Sequence, residues 1–116
     1  MADLTMADLT KSFERARKIY EKIGRKAVLE QAIEEAGEFI ACAAKHLRIM
    51  RGTNPTPISL SDNKNNLLEE TADIRLCLDL VILALNDDLG STLNEIANIA
   101  DKKTTRWLNR LGIEEQ

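Results

Sequence analysis

Aromatic residues and prolines are scarce in this chain of 116 residues. There are two prolines, and the aromatic residues are Phe13, Tyr20, Phe39 and Trp107. Charged residues make up 30% of the sequence, and the apolar content of 44% is ordinary for a chain with a folded core. This mixture suits a bundle of helices and argues against strands. A chain of this length fits a single domain.

An excess of basic residues is also missing, since the formal net charge is −3. A nucleic-acid partner requires a basic surface that neutralises its phosphates, so DNA and RNA are not expected as partners. A small nucleotide bound together with a metal ion remains compatible with this charge. The sequence shows neither an apolar run of membrane-spanning length nor a secretory signal. We therefore expect a cytoplasmic protein with no membrane partner.

Cysteine and histidine, the usual ligands of softer metals, are too few to form a recognisable site. Cys42 and Cys77 fall in predicted helices and form no CxxC motif, so both are interpreted as small core residues in a reducing compartment. A di-iron bundle normally uses Glu-x-x-His pairs. The only histidine is His46, and the residue three positions before it is Ala43. The di-iron alternative is therefore disfavoured.

The apolar residues of the first half recur every three or four positions, which is the spacing of amphipathic helices. Gly24 follows the first such stripe, and glycine commonly ends helices because it tolerates positive φ. A second helix is predicted over residues 26–51. Residues 52–63 contain both prolines and several turn-forming residues, so they are predicted to form a loop. The stripe of the first helix consists of Leu9, Phe13, Ala16, Tyr20 and Ile23.

The second half of the chain predicts two more helices. The third is predicted over residues 64–89, and Gly90 is expected to end it. The fourth is expected to start at Thr92, because Thr92 and Glu95 have the spacing of a capping box, and to close near Gly112. The predicted fold is therefore an all-α, mostly antiparallel four-helix bundle.

One domain and an oligomer are expected from these helices. Residues 1–10 are predicted to be a flexible N-terminal segment, residues 11–112 a single helical domain and residues 113–116 a C-terminal tail. Within the third helix, residues 74–85 are apolar on nearly every face. A small bundle on its own would leave part of this surface in water, so we expect the protein to form homo-oligomers.

The most informative feature of the sequence is an acidic pattern that occurs twice, as ExxE and then as ExxD. Glu35 and Glu38 are three residues apart, as are Glu70 and Asp73, so each pair lies on one face of its helix. Either pair alone is more often a solvated surface. Four carboxylates gathered together repel one another unless cations neutralise them, and oxygen ligands favour Mg²⁺ or Mn²⁺. Together the pairs predict a hard-cation site for a phosphate substrate.

The surroundings of the two pairs also match. Cys42 follows Glu38 by four residues, and Cys77 follows Asp73 by four residues, so each pair leads into a small apolar position. The same offset of 35 residues relates Glu35 to Glu70 and Cys42 to Cys77. This match is consistent with two helices that present corresponding faces to a shared site at the margin of the core.

With these motifs the chain resembles the all-α nucleoside triphosphate pyrophosphohydrolases, the superfamily that includes MazG and the dimeric dUTPases. The resemblance rests on the acidic motifs at residues 34–38 and 69–73 and on the looser basic stretch at residues 102–106. It covers residues 29–110. Within the superfamily, the chain looks most like the short, single-domain MazG-like proteins and the dCTP-hydrolysing branch.

The resemblance implies a reaction and a set of ligands. Glu35, Glu38, Glu70 and Asp73 would hold Mg²⁺, with Mn²⁺ as a possible substitute, and the metal would bridge the substrate's phosphates. Water would then convert a nucleoside triphosphate into a monophosphate and pyrophosphate, in nucleotide-pool control or house-cleaning. One of the four carboxylates or the neighbouring Glu34 would be the general base, with no choice among them. A homodimer or homotetramer is also implied.

Further residues are candidates for binding the nucleotide. Lys102 and Arg106 are four residues apart on one helical face, where they can reach phosphate oxygens. Gln31 and Asn66 each precede an acid by four residues and can hydrogen-bond a sugar or base, although solvated positions are the commoner outcome. The full set of substrate-binding candidates is Gln31, Asn66, Lys102, Lys103, Arg106 and Trp107. The rival function is a non-catalytic helical module with a regulatory or interaction role.

Overall fold

The computed structural model describes residues 5–85 and 88–115. It contains three helices: α1 (Met6–Arg51), α2 (Leu60–Leu85) and α3 (Leu89–Arg110). The described residues contain no strand, so the predicted all-α fold is confirmed, whereas a four-helix bundle stays a prediction. None of the helices in these ranges has the length and hydropathy required to cross a membrane. The chain divides into two compact units, Met1–Ala84 and Leu85–Gln116.

Helix α1 begins with a complete capping box. The Thr5 hydroxyl accepts a hydrogen bond from the backbone N–H of Asp8 at 3.1 Å, and the Asp8 carboxylate accepts one from the backbone N–H of Thr5 at 3.0 Å. These bonds satisfy backbone donors that the first turn of a helix leaves free. The bond from the Thr5 N–H lowers the pKa of Asp8, and the Thr5 hydroxyl, which also donates to the carboxylate, lowers it further. Residues 6–10, in the segment predicted to be flexible, are therefore the first turns of α1.

Gly24 interrupts α1 at the position where the sequence predicts the end of a first helix. Its backbone angles are φ 87° and ψ 171°, which are not helical and which L-residues with a side chain rarely adopt. The helix therefore consists of two arms, residues 6–23 and 25–51. Gly52 ends the second arm in the left-handed conformation, with its N–H donating to the carbonyl of Arg48 at 3.1 Å.

Helix α2 begins earlier than predicted, because Ser59 caps it. The Ser59 hydroxyl accepts a hydrogen bond from the N–H of Asp62, and the Ser59 carbonyl accepts one from the N–H of Asn63, both at 3.0 Å. The predicted loop over residues 52–63 is therefore wrong for its last four residues, which form the first turn of α2. The described part of α2 ends at Leu85. The predicted continuation through residues 86–87 lies outside the described residues.

Helix α3 also begins one turn earlier than predicted. Asp88 is its N-cap and accepts a hydrogen bond from the N–H of Ser91 at 3.1 Å. Gly90 consequently lies inside the first turn of α3 and does not break a helix. The capping box predicted from Thr92 and Glu95 is wrong, since the Thr92 hydroxyl donates back to the carbonyl of Asp88 at 3.0 Å. An Asp one turn upstream provided the stronger cap.

The first unit has a small apolar core and one buried amide. Asn63 is 0% exposed, and its Nδ2 donates to the carbonyl of Cys42 at 3.4 Å and lies 3.1 Å from Nδ1 of His46. Because Asn63 is in α2 and both partners are in α1, this amide joins the two helices with its polar atoms satisfied. The buried apolar residues of the unit are Ala16, Val28, Cys77, Leu80, Leu83 and Ala84.

The apolar run predicted to drive oligomer formation is buried on one side only. Leu80 and Leu83 are buried in the chain, whereas Leu76, Leu78 and Leu85 are exposed. The sequence therefore correctly indicates more apolar surface on α2 than one chain covers. Exposure alone does not establish an oligomer, which stays a prediction.

The two glycines of α1 should respond in opposite directions to the same substitution. Within one chain, a Cβ at Gly24 or at Gly37 meets no atom within 4 Å, so the stability of the single chain depends only on backbone conformation at either site. Gly24→Ala should lower the free energy of unfolding by about 1–3 kcal/mol, because alanine is strained at this positive φ. Gly37→Ala should raise it by about 0.5–1 kcal/mol, because Gly37 is helical. Urea unfolding followed by circular dichroism measures both, and effects of equal sign would contradict the break at Gly24.

Candidate functional site

Two helical stripes with the same spacing line the candidate site. The residues of each stripe are spaced alternately by four and three positions, beginning with four on α1 and with three on α2. Each stripe therefore follows one face of its helix. The hydrogen bonds of Asn63 to α1 show that the two stripes lie against each other at one end. The stripe of α1 is Gln31, Glu35, Glu38, Cys42 and Lys45, and the stripe of α2 is Asn63, Asn66, Glu70, Asp73 and Cys77.

Three of the four predicted acidic ligands come together between α1 and α2. Glu35, Glu38 and Glu70 each offer a carboxylate oxygen, and these three oxygens lie within 4.8 Å of one another. We refer to these residues as the acidic cluster. Asp73 is exposed and is not a member of it. Its charge nevertheless reaches Cys77, one turn farther along α2.

Two carboxylate oxygens of the acidic cluster are buried without a hydrogen-bond partner among the described residues. They are Oε2 of Glu35 and Oε2 of Glu70. The other oxygen of Glu35, Oε1, accepts a hydrogen bond from Nε2 of Gln31 at 2.9 Å. Gln31, predicted to contact a sugar or base, therefore holds one metal-ligand candidate in place. A buried carboxylate oxygen that lacks a partner is costly, and a cation would satisfy it.

The charges of the cluster change the pKa values of neighbouring groups. The negative charge of Glu35 raises the pKa of Glu38, with smaller contributions from desolvation, Glu70 and Glu34. Burial raises the pKa of the Cys77 thiol, and the charges of Glu35 and Asp73 raise it further. Both shifts have the sign expected beside concentrated negative charge. A bound cation would reduce the part of each shift that is caused by negative charge.

A cleft of about 310 Å³ extends from the acidic cluster toward the start of α2. Glu38 and Glu70 line it at one end, and Asn63, Asn66 and Lys45 contribute its polar groups. Asn66 is therefore beside the acids, as its predicted role requires. The remaining lining residues are Ala41 and Cys42.

Sequence reasoning did not assign Asn63 or Lys45 to the site. Asn63 falls in the predicted loop because its neighbours are turn-forming residues, and Lys45 lies in the basic last part of the second predicted helix, close to His46 and Arg48. A usable signal existed, because Asn63 extends the stripe of Asn66 and Glu70 by one step, and Lys45 does the same for Glu38 and Cys42. Asn63 can be recognised in this way only if the start of α2 is known, because the spacing has meaning only within a helix.

The basic candidates lie in the second unit, on α3. Lys102 and Arg106 line one surface cleft together with Asp101 and Thr105. Trp107 is 64% exposed and lines another with Lys103, Arg106, Asn109 and Arg110. Arg106 borders both clefts. In the first unit, Glu34 is exposed, and it influences the acidic cluster through its charge on Glu38.

Comparison of the chain with protein-family models, with curated proteins and with solved structures finds no match. The donor set therefore has to be judged on its own chemistry. Its ligands are all carboxylate oxygens, two of which lack a hydrogen-bond partner, and such donors suit a hard divalent cation such as Mg²⁺ or Mn²⁺. The residues present fit the predicted metal.

The raised pKa of Glu38 predicts how the metal-free protein responds to pH. Because this pKa lies above the ordinary 4.5, the folded chain holds the proton more tightly than the unfolded chain does. Stability should therefore fall as the pH rises from about 4.5 through the raised pKa. In Glu38→Gln the group no longer titrates, so urea midpoints in EDTA should fall less over this range. Glu14→Gln, at an exposed position of the first arm, is the control and should follow the parent protein. If Glu38→Gln also followed the parent protein, the raised pKa of Glu38 would not be the cause of the pH dependence.

Proposed function

We propose that this protein is a Mg²⁺-dependent nucleoside triphosphate pyrophosphohydrolase. It would add water across an anhydride bond of a (d)NTP and release a (d)NMP and pyrophosphate, in nucleotide-pool control or house-cleaning. The observation that carries the proposal is the meeting of Glu35, Glu38 and Glu70 from two helices, with two buried oxygens that lack a partner. The resemblance of the acidic motifs to the MazG-like enzymes supplies the reaction.

Glu35, Glu38 and Glu70 would hold the metal, and Asp73 would join them as a fourth ligand. When bound, Mg²⁺ supplies charge that neutralises the polyphosphate and lowers the pKa of water. Gln31 would keep Glu35 oriented through its hydrogen bond. One of Glu34, Glu35 and Glu38 would accept the proton of the attacking water, since all three lie on the same stretch of α1.

The cleft beside the cluster supports a small polar substrate. Its polar lining includes Asn66, whose amide can donate and accept hydrogen bonds, and Lys45, which can bind a phosphate oxygen. Its volume of about 310 Å³ is at the lower end for small-molecule sites. We propose that this cleft receives part of the nucleotide. We also propose Lys102, Lys103, Arg106 and Trp107 of α3 as substrate-binding residues.

The remaining parts of the proposal concern assembly and location. We propose a homodimer or homotetramer, because apolar side chains of both α1 and α2 remain exposed in one chain. We place the protein in the cytoplasm, where Cys42 and Cys77 would stay reduced, as the free thiols of the structure are. Neither nucleic acid nor a membrane is part of the proposed function.

Replacing one ligand should separate the enzyme from a non-catalytic helical module. With a panel of (d)NTPs, the parent should release pyrophosphate with Mg²⁺ or Mn²⁺ and stop in EDTA. Glu70→Gln should lower kcat/KM by about 100-fold or more, because a charged ligand is lost. Glu69→Gln, an exposed neighbour in the same motif, should retain most activity. Turnover by Glu70→Gln at the parent rate would exclude the proposed metal site, and no hydrolysis by the parent protein would favour the module.

A second experiment tests the basic residues of α3. Replacing Lys102 and Arg106 with alanine should lower kcat/KM by about 10- to 100-fold, because charge-assisted contacts to phosphate are lost. Mg²⁺ affinity, measured by calorimetry, should change far less, since the acidic cluster stays intact. The double variant Lys18→Ala/Lys22→Ala has the same spacing on an exposed face of α1 and is the control. If the variant without Lys102 and Arg106 had the kinetics of the parent protein, these residues would belong to a solvated helix face that does not contact the substrate.

A further inference from the structure

The second arm of α1 carries an apolar stripe that the described residues leave in water. Ile33 is 74% exposed and Ile40 is 65% exposed, and Leu29 and Leu47 continue the same stripe at spacings of four and seven residues. Gly37 and Ala44 lie between these residues on the same face and allow close approach of another helix. This exposed face, over residues 29–51, is about 35 Å long. We call it the outer face of α1.

The charges along the outer face are divided between its two ends. Glu30 and Glu34 directly follow Leu29 and Ile33 at the first end, whereas Arg48 and Arg51 lie at the second end, beside and after Leu47. A helix with an acidic first half and a basic second half is complementary to a reversed copy of itself. In a parallel copy, like charges would instead lie at the same height.

We propose that two copies of this chain pair through the outer faces of α1 in antiparallel orientation. A two-fold axis near Ile40 brings Ile33 against the partner subunit's Leu47 and places Ile40 of both copies close to the axis. The same axis brings Glu30 next to Arg51 of the partner subunit and Glu34 next to the partner's Arg48. An isologous contact of this kind closes on itself and gives a dimer.

Pairing in this way adds a cation at the rim of the acidic cluster. Glu34 raises the pKa of Glu38 through its charge, and the partner's Arg48 would lie beside Glu34. The inference specifies the surface and the orientation of the homo-oligomer included in the proposed function. It rests on exposure and charge and not on hydrolysis, so its test does not use activity.

The apolar contact is tested by comparing two exposed positions of similar size. The parent should be a dimer in sedimentation velocity across the micromolar range, and Ile40→Lys should weaken the dimer by about 100-fold or more, because it places two ammonium groups near the axis. Leu78→Lys tests the exposed leucines of α2 as the alternative contact surface, since Leu78 is 54% exposed, and it should leave the dimer intact. Helical content should be unchanged in both variants. A monomeric parent, or loss of the dimer in Leu78→Lys but not in Ile40→Lys, would overturn the proposal.

The orientation is tested by charge reversal. Glu30→Arg and Arg51→Glu should each weaken the dimer by about 3- to 10-fold, because each puts like charges together in the antiparallel pair. The double variant Glu30→Arg/Arg51→Glu should regain the parental dissociation constant. In a parallel pair, neither single variant would weaken the dimer, since like charges already lie at the same height. Single variants with parental affinity would therefore overturn the antiparallel arrangement.

Discussion

Repulsion among the carboxylates of Glu35, Glu38 and Glu70 is the constraint on which the rest of the site depends. Three acids whose oxygens lie within 4.8 Å tend to separate the two helices that carry them. The same repulsion, chiefly from Glu35, raises the pKa of Glu38. Folding must therefore hold α1 and α2 together by other contacts, and a cation bound between them would convert the repulsion into attraction.

Contacts on both sides of the acidic cluster hold α1 and α2 together against the repulsion. Asn63, seven residues before Glu70, joins the start of α2 to Cys42 and His46 of α1. Cys77, seven residues after Glu70, is the first of the buried apolar residues that continue to Ala84. A polar tie at one end and an apolar core at the other fix the acids between them, as a preorganised ligand set requires.

The sequence predicted the centre of the site better than its edges. The spacing of Glu35 and Glu38 determines their shared face, and the matching offset correctly indicated that Glu70 would meet them. Asp73 is three residues after Glu70, as Glu38 is after Glu35, but it is exposed, because helical spacing gives only the approximate direction of a side chain. Asn63 was missed for a different reason. The turn-forming residues around it suggest a loop, but the Ser59 hydroxyl caps α2, so Asn63 lies in the first turn of the helix.

The faces of the second arm of α1 lie in different environments. Glu35, Glu38 and Cys42 share the face that lines the candidate site, whereas Ile33 and Ile40 are exposed to water on another face. Because successive residues turn by about 100°, Glu34 lies between the acidic face and the outer face. A cation placed beside Glu34 by a second copy would reduce the negative charge that Glu38 experiences. In the proposed dimer, pairing of the outer faces would therefore be linked to protonation of the acidic cluster, since each would change the free energy of the other.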